Sequence, residues 1–437
     1  MDVRSSLEGK KITMLGLGLL GRGVGDAEYL AAQGAELIIT DLKSAEDLEE
    51  SLTRLKGVPN CTYVLGEHRL EDFRNRDFIL KAAGVPLDSI YIAEAEKEGI
   101  PIKMSASWFM ELSGIPVAGV TGTRGKSTTT HMLHAIMQET GMKVLLGGNV
   151  RGVSTLALLD EATPEHIALF ELDSWQCQGF GDEQKSPHIA AFTTFMPDHL
   201  NYYKDDLELY LRDKANIFLY QGADDTLVLG SQCAPLVEES FSDHMNGARI
   251  IADEHTLPED WKLNIPGVHN RYNAGIALAV ARALNVPDEV SQKALESFGG
   301  VPGRMELVCT VDGVSYYNDT TATTPDAALA ALRALPAGKT VLIMGGSDKG
   351  IDMSELLSEL PVLTKHVLLL AGTGTDRIKN EIQNTTIYSS VSDAVKSAQT
   401  LAEPGDTVLL SPGFASFGMF KNEYDRGDQF TAIVQSL

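Results

Sequence analysis

The stretch Gly119-Val120-Thr121-Gly122-Thr123-Arg124-Gly125-Lys126-Ser127-Thr128 decides how the rest of the chain is read. The apolar run Ile115–Val120 leads in like a buried strand, and a segment with helical apolar spacing through Met132, Leu133 and Ile136 leads out. Between them a short glycine turn ends in Gly-Lys-Ser-Thr. A nucleoside triphosphate needs that order, because glycines let backbone N–H groups approach phosphate and a helix N-terminus adds partial positive charge. Lys126 is placed to neutralise the β- and γ-phosphates, and Ser127 to hold Mg²⁺. The spacing departs from the standard pattern, with two residues between Gly122 and Gly125 and five between Gly119 and Gly125. The competing reading is a structural strand–helix turn; strand, glycines, GKST and helix together favour the phosphate site.

Outward from that turn, short β-like runs alternate with helix-like segments. Lys11–Leu15, Leu37–Thr40 and Phe78–Leu80 precede it; Lys143–Leu146, His166–Leu172, Ile189–Phe195, Thr226–Leu229 and Arg249–Ala252 follow it; Thr340–Met344, Val367–Leu370 and Thr407–Leu410 come last. Helical patterns cover Asp206–Tyr220, Tyr272–Ala283, Pro325–Leu335 and Val391–Ala402. The alternation predicts α/β domains with mostly parallel sheets. A chain of 437 residues exceeds one compact core, so two or three domains are expected, with boundaries near Ala106–Gly114 and at the Gly/Pro cluster Gly299–Gly303.

Hydrophobic residues make up 43% of the chain and charged ones 22%, enough to bury ample cores. Sixty acidic residues against 36 basic ones give a net charge of −24, which argues against general nucleic-acid or anionic-membrane binding. Small anionic ligands remain open, since a few local cations serve them. Cys61, Cys177, Cys233 and Cys309 form no CxxC pair and read as buried free thiols of a reducing compartment. The opening MDVRSSLEGKK has no apolar signal core, and no run reaches the ~18 apolar residues of a membrane span. A soluble cytoplasmic protein, a monomer, is expected.

A second glycine signal, Gly16-Leu17-Gly18-Leu19-Leu20-Gly21, follows the first β-like run, and Asp41 ends the next one. This pattern suits a dinucleotide, another nucleotide or a purely structural turn. In the middle of the chain Glu171 closes one apolar run and Asp198-His199 follow another. Parallel sheets bind ligands at the carboxyl ends of their strands, so Glu171 and His199 would face the edge where Lys126 and Ser127 sit. A carboxylate and a hydroxyl suit Mg²⁺; an imidazole suits it less and is equally a helix-entry residue. Lys214, alone, reads as a solvated helix lysine.

The motifs together resemble the Mur ligase family, over essentially the whole chain. The family's TGTxGKST stands at Thr121–Thr128, its GGN at Gly147-Gly148-Asn149, and its ELSSFQ, altered, at Glu171-Leu172-Asp173-Ser174-Trp175-Gln176. DHL stands at Asp198–Leu200, followed by the helix bearing Lys214, and GxHNxxN at Gly267, His269, Asn270 and Asn273. PxRxE falls on Pro302, Arg304 and Glu306, NDSxAT on Asn318–Thr323, GGxDKG on Gly345–Gly350 and SPxxASF on Ser411–Phe417. Nine motifs in order are far more specific than any one of them.

The resemblance implies three domains: residues 1–107, Rossmann-like, for a UDP-linked substrate; 108–302, P-loop ATPase-like with a parallel sheet, for ATP; and 303–437, Rossmann-like, for the amino acid. It implies an ATP-dependent amide ligase adding D-glutamate to UDP-N-acetylmuramoyl-L-alanine in peptidoglycan precursor synthesis. L-Glutamate as acceptor and a non-catalytic nucleotide-binding homologue are the alternatives. Catalytic roles fall to Lys126, His199, Lys214, Arg304 and Asp319. ATP contacts fall to Gly122, Thr123, Arg124, Gly125, Lys126, Ser127, Thr128, Asn270, Asn273, Arg304 and Asp319. The UDP substrate falls to Gly18, Leu19, Leu20, Asp41, Lys43, Gly84, Asn149, Ser174, Gln176 and His199. The glutamate carboxylates fall to Thr323, Lys349 and Ser416. Mg²⁺ falls to Ser127, Glu171, His199 and Lys214, the last as a carbamate. The partners implied are these small molecules alone.

Five positions depart from the family pattern: Asp173 for serine, Thr321 for lysine, Gly418 for aspartate, Glu423 for an aromatic residue and Lys43 for arginine. Folylpolyglutamate synthases share the central and last patterns but lack the first unit. An NAD-dependent oxidoreductase would leave Lys126, Arg304 and Lys349 without roles.

Overall fold

The computed structural model describes residues 7–19 and 21–437. Its first sheet contains β1 (Lys11–Leu15), β2 (Glu36–Asp41), β3 (Cys61–Leu65), β4 (Phe78–Lys81) and β5 (Ile102–Lys103), all parallel, in the order β3-β2-β1-β4-β5. The order reverses between β1 and β4, which opens a crevice at the carboxyl ends of those strands. The second sheet contains β6 (Val117–Thr121), β7 (Lys143–Gly148), β8 (His166–Glu171), β9 (Ile189–Phe192), β10 (Thr226–Gly230) and β11 (Ala248–Ala252). It is also parallel, in the order β11-β10-β9-β6-β8-β7. β6 is central and buried along its whole length. Gly119 lets neighbouring side chains close over it; a Cβ there would meet Pro187 at 2.9 Å and Leu172 at 3.1 Å.

The third sheet contains β12 (Glu306–Val311), β13 (Val314–Asn318), β14 (Thr340–Gly345), β15 (Thr364–Leu370), β16 (Thr386–Tyr388) and β17 (Thr407–Leu410). Its order is β12-β13-β17-β14-β15-β16, with β12 antiparallel to β13 and the other pairs parallel. Because β17 inserts between β13 and β14, the loops leaving these three strands lie side by side.

The chain forms two compact units. One ends at Leu257 and resumes over Tyr272–Ala294, carrying the first two sheets; the other comprises Pro258–Arg271 and Leu295–Leu437, carrying the third. One hydrophobic core runs through the first unit, from Ile12 and Leu37 to Phe109, Phe170 and Leu229. The helix Lys126–Glu139 buries Met132, Leu133 and Ile136, the face its spacing predicts. In the second unit separate cores cover the two faces of the sheet.

Every apolar run expected as a strand holds one; Lys11–Leu15 and Thr407–Leu410 have the expected ends, and the others are shifted. The run Ile189–Phe195 stops as a strand at Phe192, and the helix expected over Asp206–Tyr220 covers Leu207–Ala215. Strands β3, β5, β12, β13 and β16 escape the apolar-run criterion. β3 and β12 are edge strands with residues exposed to solvent, which removes the continuous apolar signal. All four cysteines are free; Cys177 and Cys233 are buried as expected, whereas Cys61 and Cys309 are half-buried. Among the described residues no helix is long and apolar enough to cross a membrane.

Candidate functional site

The turn after β6 is shaped by two glycines with left-handed backbone. Gly122 has φ 145°, and a Cβ there would lie 2.0 Å from Thr193 Oγ1; Gly125 has φ 85°, and a Cβ there would lie 2.3 Å from Asn273 Oδ1. The turn is stitched to the exit of β9. Thr123 N donates to Thr194 O (2.7 Å), Arg124 N donates to Thr194 Oγ1 (2.9 Å), and Thr193 Oγ1 donates to Arg124 O (2.6 Å). Thr193 and Thr194 thus serve the turn instead of extending β9. Gly125, the residue before the helix Lys126–Glu139, offers no side-chain cap, and the helix N-terminus carries the partial positive charge that suits an anion, beside buried Ser127 and half-buried Thr128.

Two lysines converge on one carbonyl. Lys126 Nζ donates to Gly122 O (2.8 Å) and Thr123 O (3.2 Å), and Lys214 Nζ donates to Gly122 O at 2.9 Å. Lys214 is 1% exposed, which corrects its reading as a solvated lysine. Burial first, and the charge of Lys126 second, lower its amine to about 7. An amine titrating there is substantially neutral near neutral pH, the form that reacts as a nucleophile.

Glu171 ends β8, buried, and its Oε1 accepts from Asn149 Nδ2 at 3.1 Å. His199 is at a helix entry, at φ 53° before Leu200–Tyr203. Its ring lies 4.5 Å from that of Trp175 and 6.1 Å from that of Tyr210. Burial lowers its pKa, outweighing Asp198. Among the described residues no group of three or more His, Cys, Asp and Glu is poised around an ion. The oxygen donors of Ser127 and Glu171 nonetheless suit Mg²⁺ chemically.

Beside the first glycine turn is a cavity of about 180 Å³, lined by Gly18, Leu19, Arg22, Asp26, Lys81 and Gln176 among others. Asp41 organises this turn. Its Oδ2 accepts from Leu17 N (2.9 Å) and Gly18 N (3.1 Å), and its Oδ1 from Lys43 N (2.9 Å). Burial opposes ionisation, but these N–H donors and the Lys43 ammonium, 3.7 Å away, hold the carboxyl below its ordinary pKa. Gly84 follows β4 with φ 83° in open space. Leu20 lies outside the described residues.

The departure at Asp173 has a structural reason. Its carboxylate accepts from Gln176 N (2.8 Å) while Gln176 Oε1 accepts from Asp173 N (3.2 Å), a reciprocal cap on the helix Ser174–Asp182 worth about 1 kcal/mol. Gln176 therefore combines capping with lining the cavity; Ser174 is buried beside it.

In the second unit the loops after β13, β14 and β17 bring the expected acceptor residues together. Lys349 Nζ donates to Thr323 Oγ1 at 3.0 Å. Ser347 and Ala415 exchange backbone hydrogen bonds (2.9 and 3.2 Å), which sets buried Ser416 against the Lys349 loop. Thr321, in place of lysine, donates through N (3.1 Å) and Oγ1 (2.9 Å) to Gly303 O. Gly418 has φ 92°, and Glu423 begins the helix Glu423–Val434, its carbonyl accepting from Thr320 Oγ1 at 2.7 Å. Asn270 Nδ2 donates to Pro266 O at 2.6 Å.

Asp319 accepts from Ser411 Oγ (2.7 Å) and Met305 N (3.1 Å). Burial dominates and raises its pKa to about 7 despite Arg304. Between the unfolded value of 3.8 and about 7 the folded state binds the extra proton, so stability falls as pH rises through that window. Asp319→Asn is therefore expected to melt roughly 5 °C above the parent at pH 8, on a scale of a few degrees per kcal/mol. The gap closes near pH 4; melts at both pH values check it.

Three contributors escape sequence reasoning. Arg426 is fully buried and donates to Thr320 Oγ1 (3.1 Å), Thr320 O (2.8 Å) and Phe414 O (3.3 Å), bracing two acceptor loops. Burial lowers its pKa to about 10. Its only signal is its place on the buried face with Gly427, Phe430 and Val434. Trp175 gives no signal beyond its motif. Arg22 is hidden because its partner, Asn149, is 127 residues away.

Known proteins resemble this chain along almost its whole length. Residues 10–104 match the Mur ligase MurD-like N-terminal domain, 120–281 the Mur ligase middle domain, and 303–414 the Mur ligase glutamate ligase domain. The UDP-N-acetylmuramoylalanine–D-glutamate ligase of Roseiflexus sp. (strain RS-1) is 36% identical, with 99% of each chain covered. The chain belongs to the Mur ligase family. The Chlorobium limicola ligase of the same name is 34% identical, covering 100% of this chain and 99% of its own. Among solved Mur ligases, the UDP-N-acetylmuramate-alanine ligase of Thermotoga maritima aligns with TM-score 0.61 at 19% identity, covering 98% of this chain and 99% of its own. MurF from Acinetobacter baumannii aligns with TM-score 0.59 at 16% identity, covering 99% and 92%. At such identities the structural likeness speaks for the three-domain Mur ligase fold alone.

Proposed function

We propose that this chain joins D-glutamate to UDP-N-acetylmuramoyl-L-alanine in an ATP-driven step of peptidoglycan precursor synthesis. The observation that carries the reading is full-length identity, 36% over 99% of both chains, with a relative bearing that activity in its name. ATP would phosphorylate the muramoyl-alanine carboxylate, giving an acyl phosphate and ADP. The glutamate amine would then attack the acyl carbon, expelling phosphate and leaving an amide. Such a reaction asks mainly for positioning and charge neutralisation.

The proposed domains are 1–107 for the UDP substrate, 108–302 for ATP and 303–437 for glutamate. Backbone N–H groups of Gly122–Thr128 and the Lys126 ammonium would hold the ATP phosphates, with Asn270, Asn273, Arg304 and Asp319 as further nucleotide contacts. Mg²⁺, held by Ser127 and Glu171 with His199 and a carbamylated Lys214 in support, would neutralise phosphate charge when bound. Burial of Lys214 supports the carbamate, since a neutral amine adds to CO₂ and then loses its proton. Gly18, Leu19 and Leu20 would meet the UDP diphosphate, Asp41 and Lys43 the uridine side, and Gly84, Asn149, Ser174, Gln176 and His199 the muramoyl side. The enzyme is proposed to act as a cytoplasmic monomer.

Phosphate release with single omissions of ATP, UDP-N-acetylmuramoyl-L-alanine and each glutamate enantiomer tests the reading. Release is expected only with all three substrates and with D-glutamate; release indifferent to the muramoyl substrate would overturn it, and a preference for L-glutamate would correct the acceptor. A dianionic acceptor approaching a chain of net charge −24 needs a local cation. Lys349→Ala is therefore expected to raise the KM for glutamate at least about tenfold, with the KM for ATP nearly constant. An unchanged glutamate KM removes Lys349 from the acceptor site.

A further inference from the structure

Arg22 opens the helix Arg22–Ala32 directly after the glycine turn of the first sheet, and lines the cavity there. Its Nη1 donates to Asn149 Oδ1 at 2.6 Å. The other end of the same amide faces Glu171, with Asn149 Nδ2 donating to Glu171 Oε1 at 3.1 Å. An amide has one accepting end and one donating end. Turned over, Asn149 would set its NH₂ against the guanidinium and its oxygen against the carboxylate, losing two charge-assisted hydrogen bonds at once. The charged partners therefore hold the amide in one orientation.

Both ends of this relay are anchored. Asn149 N donates to Glu171 O at 2.7 Å, and Gly148 N to Thr155 Oγ1 at 3.0 Å, so the backbone under the amide is pinned to β8. Gly148 permits that approach, since a Cβ there would sit 2.2 Å from Glu171 O. At the other end Asp26, one helical turn beyond Arg22, attracts it electrostatically. Asp26 is buried and accepts from Ser105 Oγ (2.5 Å), Ser154 Oγ (2.6 Å) and Leu156 N (3.3 Å).

We propose that Arg22 is a positioning residue for the metal carboxylate: through Asn149 it holds Glu171 in the orientation from which it ligates the ion. The proposal rests on the reading of Glu171 as a Mg²⁺ ligand. It is tested on the full-length protein with Mn²⁺ and a non-hydrolysable ATP analogue, so that electron paramagnetic resonance reads metal binding apart from turnover. Arg22→Met keeps the apolar stem without donors, and Arg22→Lys keeps a cationic donor. Arg22→Met is expected to weaken Mn²⁺ binding about tenfold, the scale for a partner behind a metal ligand, and Arg22→Lys by no more than about threefold. Because both residues act through one contact, the double variant Arg22→Met/Asn149→Ala should bind no worse than Asn149→Ala. Unchanged binding in Arg22→Met, or losses that multiply in the double variant, overturns the proposal. If Arg22→Met fails to fold by circular dichroism, Arg22→Leu, which also lacks donors, carries the same comparison. Glu171→Gln separates the two levels. If it binds Mn²⁺ like the parent, the ligand assignment and the proposal fall together; if it loses the ion while Arg22→Met keeps it, only the proposal falls.

Discussion

Lys126→Ala is expected to lower ATP-dependent phosphate release by a factor of about a hundred to a thousand, the range for removing one group that meets developing charge, with the fold intact. Lys126 Nζ sits on the carbonyls of Gly122 and Thr123. Gly122 O keeps a donor in Lys214 after the substitution, and the turn keeps its bonds to Thr193 and Thr194. The turn therefore survives while the charge that meets the phosphates is lost. Steady-state phosphate release with a thermal melt checks both halves. Near-parental turnover in a folded Lys126→Ala protein would remove the residue from phosphoryl transfer.

Lys214→Ala is expected to lose turnover to a similar degree, and to regain part of it with millimolar acetate or another short carboxylate. Lys214 is 1% exposed, so its removal leaves a buried space the length of its stem, aimed at the carbonyl of Gly122. A carboxylate entering that space restores the negative group that the carbamate would supply. A passive structural lysine would give no carboxylate rescue. Full activity of Lys214→Ala without any addition contradicts the carbamate outright.

The strand–glycine turn–helix order around Gly122–Thr128 was legible because its residues are contiguous, in one short window. The central strands were legible because burial on both faces leaves uninterrupted apolar runs such as Ile167–Phe170 and Leu342–Met344. β3 and β12 were not, since solvent on their exposed positions erases that signal. Lys214 shows the limit of pattern: its spacing fits a surface helix face, and only the packing around Tyr210 and the turn buries it. Arg22 and Arg426 were invisible because their partners, Asn149 and Thr320, are 127 and 106 residues away. Asp173 departs from the serine of the family pattern yet is a helix cap, a role serine and aspartate share.

The central claim is that this chain moves a phosphoryl group from ATP to the muramoyl-alanine carboxylate before the glutamate amine attacks. The most direct measurement is oxygen-isotope transfer from UDP-N-acetylmuramoyl-L-alanine labelled with ¹⁸O in the alanyl carboxylate. In turnover with ATP and D-glutamate, one labelled oxygen is expected in each phosphate released, and the product should carry one glutamate residue and one label fewer than the substrate. Phosphate free of the label during amide formation, or label-free phosphate released without any amide, would contradict the account.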